Sequence, residues 1–191
     1  MRKVQVDTID TRSGTSTMQI GSTNTSTINI GVSGDTVNIP SGVTIANAGT
    51  ATGFGGNNTP AFQVTLSGDQ SIPGDTYTKI TWDTETFDTA GNFASNKFTP
   101  TTSGYYQFNA SCRFGTNDDS NFIGLAIYKN GSAVKEGSMV SRTQQTAQVT
   151  AIVEANGSGD YFETYFYHDN GGAKNVGAGR WTFFEGFKLI S

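Results

Sequence analysis

A ten-residue near-repeat close to the N-terminus constrains this chain more than any other feature. Residues 15–24 read TSTMQIGSTN, and residues 25–34 read TSTINIGVSG. A looser copy, DTVNIPSGVTI, follows at 35–45. Each copy carries apolar–polar–apolar stitches: Met18 and Ile20, Ile28 and Ile30, Val37 and Ile39, then Val43 and Ile45. Small and polar residues dominate the gaps. A unit with two apolar side chains cannot bury them against itself. It must stack on neighbouring units or wrap with other chains. These side chains are therefore expected to form the core of an oligomeric stem.

Three segments separate by composition. Residues 1–45 are the stitched stem. Its first stretch, VQVDTID, offers Val4, Val6 and Ile9 as an anchor that could pair with the sheet edge of a neighbouring protein. Residues 46–60, ANAGTATGFGGNNTP, are a Gly/Ala/Asn linker without periodicity. Residues 61–191 hold most of the aromatics, which make up 12% of the chain, and this density predicts an ordered domain. Hydrophobic residues reach only 35%, against roughly 45–50% in ordinary domains. The 24 glycines and the abundant Thr, Ser and Asn account for the deficit and favour turns and strands over helices.

Charge and cysteine usage narrow the function classes. The net charge is −4 and no basic patch stands out, so no nucleic-acid partner is expected. No apolar run is long enough for a membrane-crossing helix, and no membrane partner is expected. Met1-Arg2-Lys3 is followed by VQVDTIDTRSG, which lacks the apolar core of a signal peptide. Export by that route is not expected. A lone cysteine, Cys112, excludes an intramolecular disulfide framework.

Alternation predicts the strands of the 61–191 domain. They are AFQVTL at 61–66, YTKITW at 77–82, YYQFNASCRF at 105–114, FIGLAIYK at 122–129 and SAVKEGSMV at 132–140. AQVTAIVE at 147–154, DYFETYFYH at 160–168 and FFEGFKLI at 183–190 follow. Asn130-Gly131 is a tight-hairpin signal. No segment has helical caps and period. The expected fold class is all-β, a sandwich or barrel.

Several segments resemble the C1q-like head domain. KFTPTTSGYYQFNAS matches its F-x-P-x-x-x-G-Y-Y-x-F pattern, and FFEGFKLI its F-x-G-F-x-L ending. GDYFETYFY falls where that family has its penultimate strand, and Ala61-Phe62 matches its usual start. The resemblance spans 61–191. It implies a ten-stranded jelly roll of the C1q and tumour-necrosis-factor type, assembled as a tight homotrimer. The T-x-x-I-x-I-G stitches resemble the stems of bacteriophage tail-fibre proteins. No collagen Gly-X-Y precedes this head, unlike the animal C1q proteins.

The borrowed topology sets a polarity, with both head termini at the base. The Asn130-Gly131 and Asn156–Gly159 turns then fall at the base. The longer connections 115–121, 138–146 and 168–180 fall at the far apex. Long polar loops at one end suit a binding surface. The candidate receptor-binding residues are Asn117, Asp118, Asp119, Asn121, Arg142, Gln144, Asp169, Asn170, Lys174, Asn175 and Arg180.

Other chemistry has weaker support. His168, the one histidine, precedes Asp169, but sequence neighbours on a strand end diverge, so a loop histidine is expected rather than a triad member. Asn117, Asp118, Asp119 and Asn121 offer oxygen ligands without EF-hand spacing, and a solvated acidic turn is expected. Asp160 falls under the same reading. Cys112 alternates with Phe108 and Ala110 and is expected to be a buried small apolar group. Trp181 is expected to begin a core strand, and Trp82 to pack. Neither metal nor cofactor is expected.

These readings converge on a non-enzymatic homotrimeric fibre or spike on the exterior of a phage virion. Other virion proteins would hold its N-terminus, and the apical loops would take a host-surface glycan or protein. A capsid decoration protein is the first alternative. A bacterial surface or spore-coat C1q-like protein is the second.

Overall fold

The computed structural model describes residues 20–21, 23–48, 58–115, 122–140 (138–140 by backbone only) and 145–189. Met18, Val4, Val6 and Ile9 lie outside these residues, as do Asn117, Asp118, Asp119, Asn121, Arg142 and Gln144. The chain divides into two units, Met1–Ala51 and Thr52–Ser191.

In the first unit the repeat resolves into stitches punctuated by left-handed glycines. Gly21 (φ +101°) and Gly31 (φ +82°) occupy equivalent positions in successive copies. Only glycine takes such angles without steric cost. The turn after Gly31 is closed twice: the Asp35 N–H donates to the Val32 carbonyl (3.0 Å), and the Val32 N–H donates to the Asp35 carboxylate (2.9 Å). The third copy turns at Pro40–Val43, where the Val43 N–H donates to the Pro40 carbonyl (3.2 Å).

No β-strand forms among the described stem residues, which departs from the expected β-repeat. The reason is that a strand needs a hydrogen-bonded neighbour, and a single chain provides none. Burial follows the same logic. The stitch side chains are exposed, from 46% at Ile39 to 68% at Ile30, with Ile20, Ile28, Val37, Val43 and Ile45 between.

The second unit is a two-sheet sandwich. The strands are β1 Ala61–Thr65, β2 Gln70–Ile72, β3 Thr78–Lys79, β4 Thr84–Asp88, β5 Phe93–Ala94, β6 Lys97–Phe98 and β7 Gly104–Phe114. They continue as β8 Phe122–Lys129, β9 Ser132–Val140, β10 Thr146–Ala155, β11 Phe162–His168, β12 Lys174–Gly177 and β13 Phe183–Lys188. The first sheet runs β2-β12-β7-β13-β1-β4, with β10 on the free side of β7. The second runs β5-β6-β11-β8-β9, with β3 beside β6 on β11. Every pairing is antiparallel.

Inward positions build a phenylalanine-rich core. Phe62 stacks on Phe98 (4.3 Å between centroids) and meets Phe184 edge-on (4.9 Å). Phe108 packs on Phe162 across the sheets (4.4 Å). Each buried ring contributes roughly 1.5–3 kcal/mol, so these contacts dominate the stability of the head.

The two sequence motifs have packing reasons. Gly186 lies opposite Phe108 in the β7–β13 register, and a Cβ there would stand 2.5 Å from the Phe108 ring. The glycine of FFEGF thus makes room for a central core ring. In the GYY motif, Tyr106 is buried and its hydroxyl donates to the Thr102 carbonyl (2.7 Å). Burial pushes this phenol up to about 12.

The register also defines two ends. At the proximal end the Lys188 N–H donates to the Pro60 carbonyl and the Leu189 N–H to the Tyr105 carbonyl. The Asn130-Gly131 and Asn156–Gly159 turns join there, because Asn130 donates to Asp160 (2.7 Å) and Lys129 pairs with Asp160 (2.9 Å). These hydrogen bonds, with that from Asn130 the largest, and the Lys129 charge lower the Asp160 carboxyl to about 2. At the distal end Phe114, Phe122, Thr146, His168 and Lys174 mark where strands finish or begin. The Phe114 N–H donates to the Gln145 carbonyl (2.8 Å) and the Asp169 N–H to the Phe122 carbonyl (3.2 Å).

A candidate binding surface at the distal end of the head

The distal end is organised by the last inward residue of β11. That strand alternates Phe162, Thr164, Phe166 and His168 into the core, so His168 is fully buried and not a loop histidine. Its ring packs on Phe114 (5.1 Å), its Nε2 meets the Ile72 carbonyl (3.0 Å), and its Nδ1 accepts from the Asn170 N–H (3.3 Å). These partners require the tautomer with hydrogen on Nε2. The histidine thereby ties β11 to β2.

Asp169 turns the other way. Its carboxylate accepts from the Phe122 N–H (3.1 Å), which pins the start of β8. His168 and Asp169 consequently form no dyad. Asn170 packs tightly too: a Cβ at Gly74 would lie 2.2 Å from its carbonyl oxygen. The Asp75 N–H donates to the His168 carbonyl (2.8 Å), completing the crossing.

Lys174 and Asn175 depart from expectation. They belong to β12, paired with Ile72 and Ser71 of β2, rather than to an irregular loop over 168–180. The strand is anchored by one buried apolar side chain, Val176, which is too little alternation to recognise in sequence. Lys174 and Asn175 thus pair with β2, Asn170 bonds the histidine that reaches β2, and Asp169 bonds the start of β8.

Arg180 stands apart, in the connection from β12 to β13. Its guanidinium lies over the Trp181 ring (5.0 Å). Trp181 is 49% exposed and sits in a turn, closed by the Thr182 N–H on the Gly179 carbonyl (3.0 Å), instead of beginning a core strand. Gly179 takes φ +100° there, and the chain reaches β13 only after that turn. Trp82 is buried, with its indole N–H donating to the Thr164 hydroxyl (2.9 Å).

No group of three or more His, Cys, Asp or Glu side chains able to hold a metal occurs among the described residues. Cys112 is fully buried, and burial pushes its thiol well above the usual range. The Asp160 carboxylate is occupied by Asn130, Asn156 and Lys129.

Comparison of the coordinates with solved structures decides the architecture. Murine APRIL matches with a TM-score of 0.54 at 12% identity, covering 68% of this chain and 98% of its own. The head has the fold of the TNF and C1q globular heads. An Eiger TNF from S. frugiperda matches at TM-score 0.52 and 11% identity, over 69% of this chain and 91% of that one. The globular domain of zebrafish complement 1qA matches at 0.50 and 13%, over 69% and 98%. No family model and no curated protein matches the sequence. At this identity the likeness to TNF and C1q heads is one of fold. The described residues form thirteen strands against the ten implied by the C1q resemblance, and five of them, β2, β3, β5, β6 and β12, span four residues or fewer.

Proposed function

We propose that this chain is a non-enzymatic, homotrimeric fibre or spike protein of a phage virion, attaching to a host-surface receptor through the distal end of its TNF/C1q-like head. The exposure of the repeated stitches in the single chain carries the reading. Apolar side chains in repeated stitches, 46–68% exposed at Ile20, Ile28, Ile30, Val37, Ile39, Val43 and Ile45, need partners of the same length and pattern. Three copies of this chain supply them around one axis.

The head also offers surfaces for assembly. Its outward first-sheet face and adjoining edge carry Tyr105, Ile152 and Val134, which are 55%, 62% and 42% exposed. A cleft of about 480 Å³ opens between β9 and β10, bordered by Val134, Ala151, Ile152 and Val153 together with Lys135 and Thr150. Apolar groups along one edge and face suit packing against further copies of the head. The C1q and tumour-necrosis-factor resemblance implies the same trimer.

Attachment belongs to the distal end, since the proximal end is closed by tight turns and their hydrogen bonds. A trimer presents three copies of each loop, so weak individual contacts add up by avidity. Adsorption of the purified full chain to host cells tests this reading. Replacing Asp118, Arg142, Lys174 and Asn175 together by Ala is expected to abolish adsorption; undiminished adsorption contradicts a distal site. Electron microscopy of the intact virion tests the location. Copies confined to the tail support a fibre, and copies spread over the shell make it a decoration protein instead.

A further inference from the structure

The outward face of the second sheet is aromatic where an exposed antiparallel sheet is ordinarily polar. On β11 the outward positions are Glu163, Tyr165 and Tyr167, and opposite them on β8 lie Tyr128, Ala126 and Gly124. Tyr77, just before β3, lies across the small residues: a Cβ on Gly124 would stand 2.7 Å from its hydroxyl oxygen. The rings then form a continuous layer. Tyr77 is 5.3 Å from Tyr167 and 6.4 Å from Tyr128, and Tyr128 stacks on Tyr165 at 4.1 Å. Phe122 extends the layer, 5.7 Å from Tyr167. All five rings are half-buried, so each keeps part of its surface in solvent.

Polar groups border this layer. Glu136 lies on the same face of β9, and burial first and then its charge raise the Tyr77 phenol above its ordinary range. Glu163 pairs with Lys79 (2.5 Å) and accepts from the Tyr165 hydroxyl (3.3 Å). The surface therefore alternates ring with carboxylate, ammonium and phenol.

This chemistry discriminates among occupants. An apolar sheet from another protein would have to bury the exposed charge of Glu136, which is costly. A pyranose has an apolar C–H face and a hydroxyl rim. The first matches the tyrosine rings, and the second matches the carboxylates, the lysine and the phenolic oxygens. We propose that this face of the head is a binding platform for an extended, uncharged oligosaccharide, with Tyr77, Tyr128 and Tyr167 as the stacking rings. It lies on the sheet face and adjoins the distal end at Phe122, and it goes beyond the attachment reading.

The test uses the full-length protein on an array of cellohexaose, maltohexaose and chitotetraose, followed by titration calorimetry with the best binder. At least one of the three is expected to bind. The double substitution Tyr77→Ala/Tyr167→Ala should weaken it by roughly tenfold or more. Tyr167→Phe keeps the ring and should retain most of the affinity. Gly124→Leu should also weaken binding, by pushing Tyr77 off its seat while leaving every tyrosine in the chain. Thermal unfolding of each variant checks that the head remains folded. Three results would overturn the proposal: no saccharide binding, wild-type affinity in a folded double variant, or displacement of the sugar by tetramethylammonium chloride. Loss of saccharide binding supports the platform whether or not host adsorption is lost, so this inference and the attachment reading fail separately.

Discussion

The stem and the head are built from similar apolar residues and treat them in opposite ways. Ile28 and Ile30 are 47% and 68% exposed, whereas Ile123 and Ile127 are fully buried. The difference lies in what surrounds each alternating pattern. In the head, every strand finds another strand of the same chain to pair with, and the two sheets close over a shared core. In the stem, left-handed glycines such as Gly21 and Gly31 interrupt the chain before a second strand can be laid beside the first. Hydrophobic stitches without a return strand cannot be satisfied within one chain. The head thus folds within one chain, and in the proposed trimer further copies would complete the stem.

Four substitutions probe that contrast. The largest effect is expected from Phe62→Ala, which removes a ring touching Phe98, Phe93, Phe108 and Phe184. It should destabilise the head by about 3–5 kcal/mol, seen as a lowered midpoint in denaturant unfolding. Stem assembly should survive in a folded fraction, and its loss there would break the claimed independence of the two regions.

Ile30→Asn should act in the reverse sense. Each chain would forgo roughly 1.5–3 kcal/mol of burial in the assembled stem. Limited proteolysis should then cut the stem faster while the head unfolds at an unchanged midpoint. A shift in head unfolding would mean that the two regions are coupled.

Gly31→Ala places a Cβ at φ +82° without removing any apolar contact. A cost of about 1–2 kcal/mol per chain is expected, again read by stem proteolysis. No change would show that the glycine turn is not part of the assembled stem.

The smallest effect is present at neutral pH and disappears in acid. The Asp160 carboxyl is lowered to about 2 in the folded head, chiefly by the Asn130 hydrogen bond. The ordinary unfolded value is about 3.9. Its contribution is therefore complete above the unfolded value and disappears as pH falls through the folded one. Asp160→Asn should lower the melting temperature at neutral pH, and the gap from the parent chain should close between about pH 4 and pH 2. A constant gap would assign the effect to packing.

The long strands were legible because alternation or a continuous apolar run survives over six or more residues. β7, β8, β9, β10 and β13 fall within about two residues of their expected bounds. The short strands were not. β12 has only Val176 facing inward, and β4 reads TETFD with no buried side chain, so neighbours rather than residue pattern define both. His168 was misread because its neighbours Asp169, Asn170 and Gly171 signal a turn, although the period of β11 runs through it. The Trp181 error has the same origin, a turn inserted before a strand. The aromatic face of the second sheet did leave a trace. FIGLAIYK and YFETYFYH are apolar or aromatic at both odd and even positions, which marks strands with two non-polar faces.

Sedimentation equilibrium of the full-length chain tests the central claim most directly. A single species of three times the 20.3 kDa chain mass, independent of loading concentration over the micromolar range, is the result expected if exposed stitches and head edges are completed by two further copies. A monomer under the same conditions would contradict the account, because the stem would then leave its apolar side chains in water.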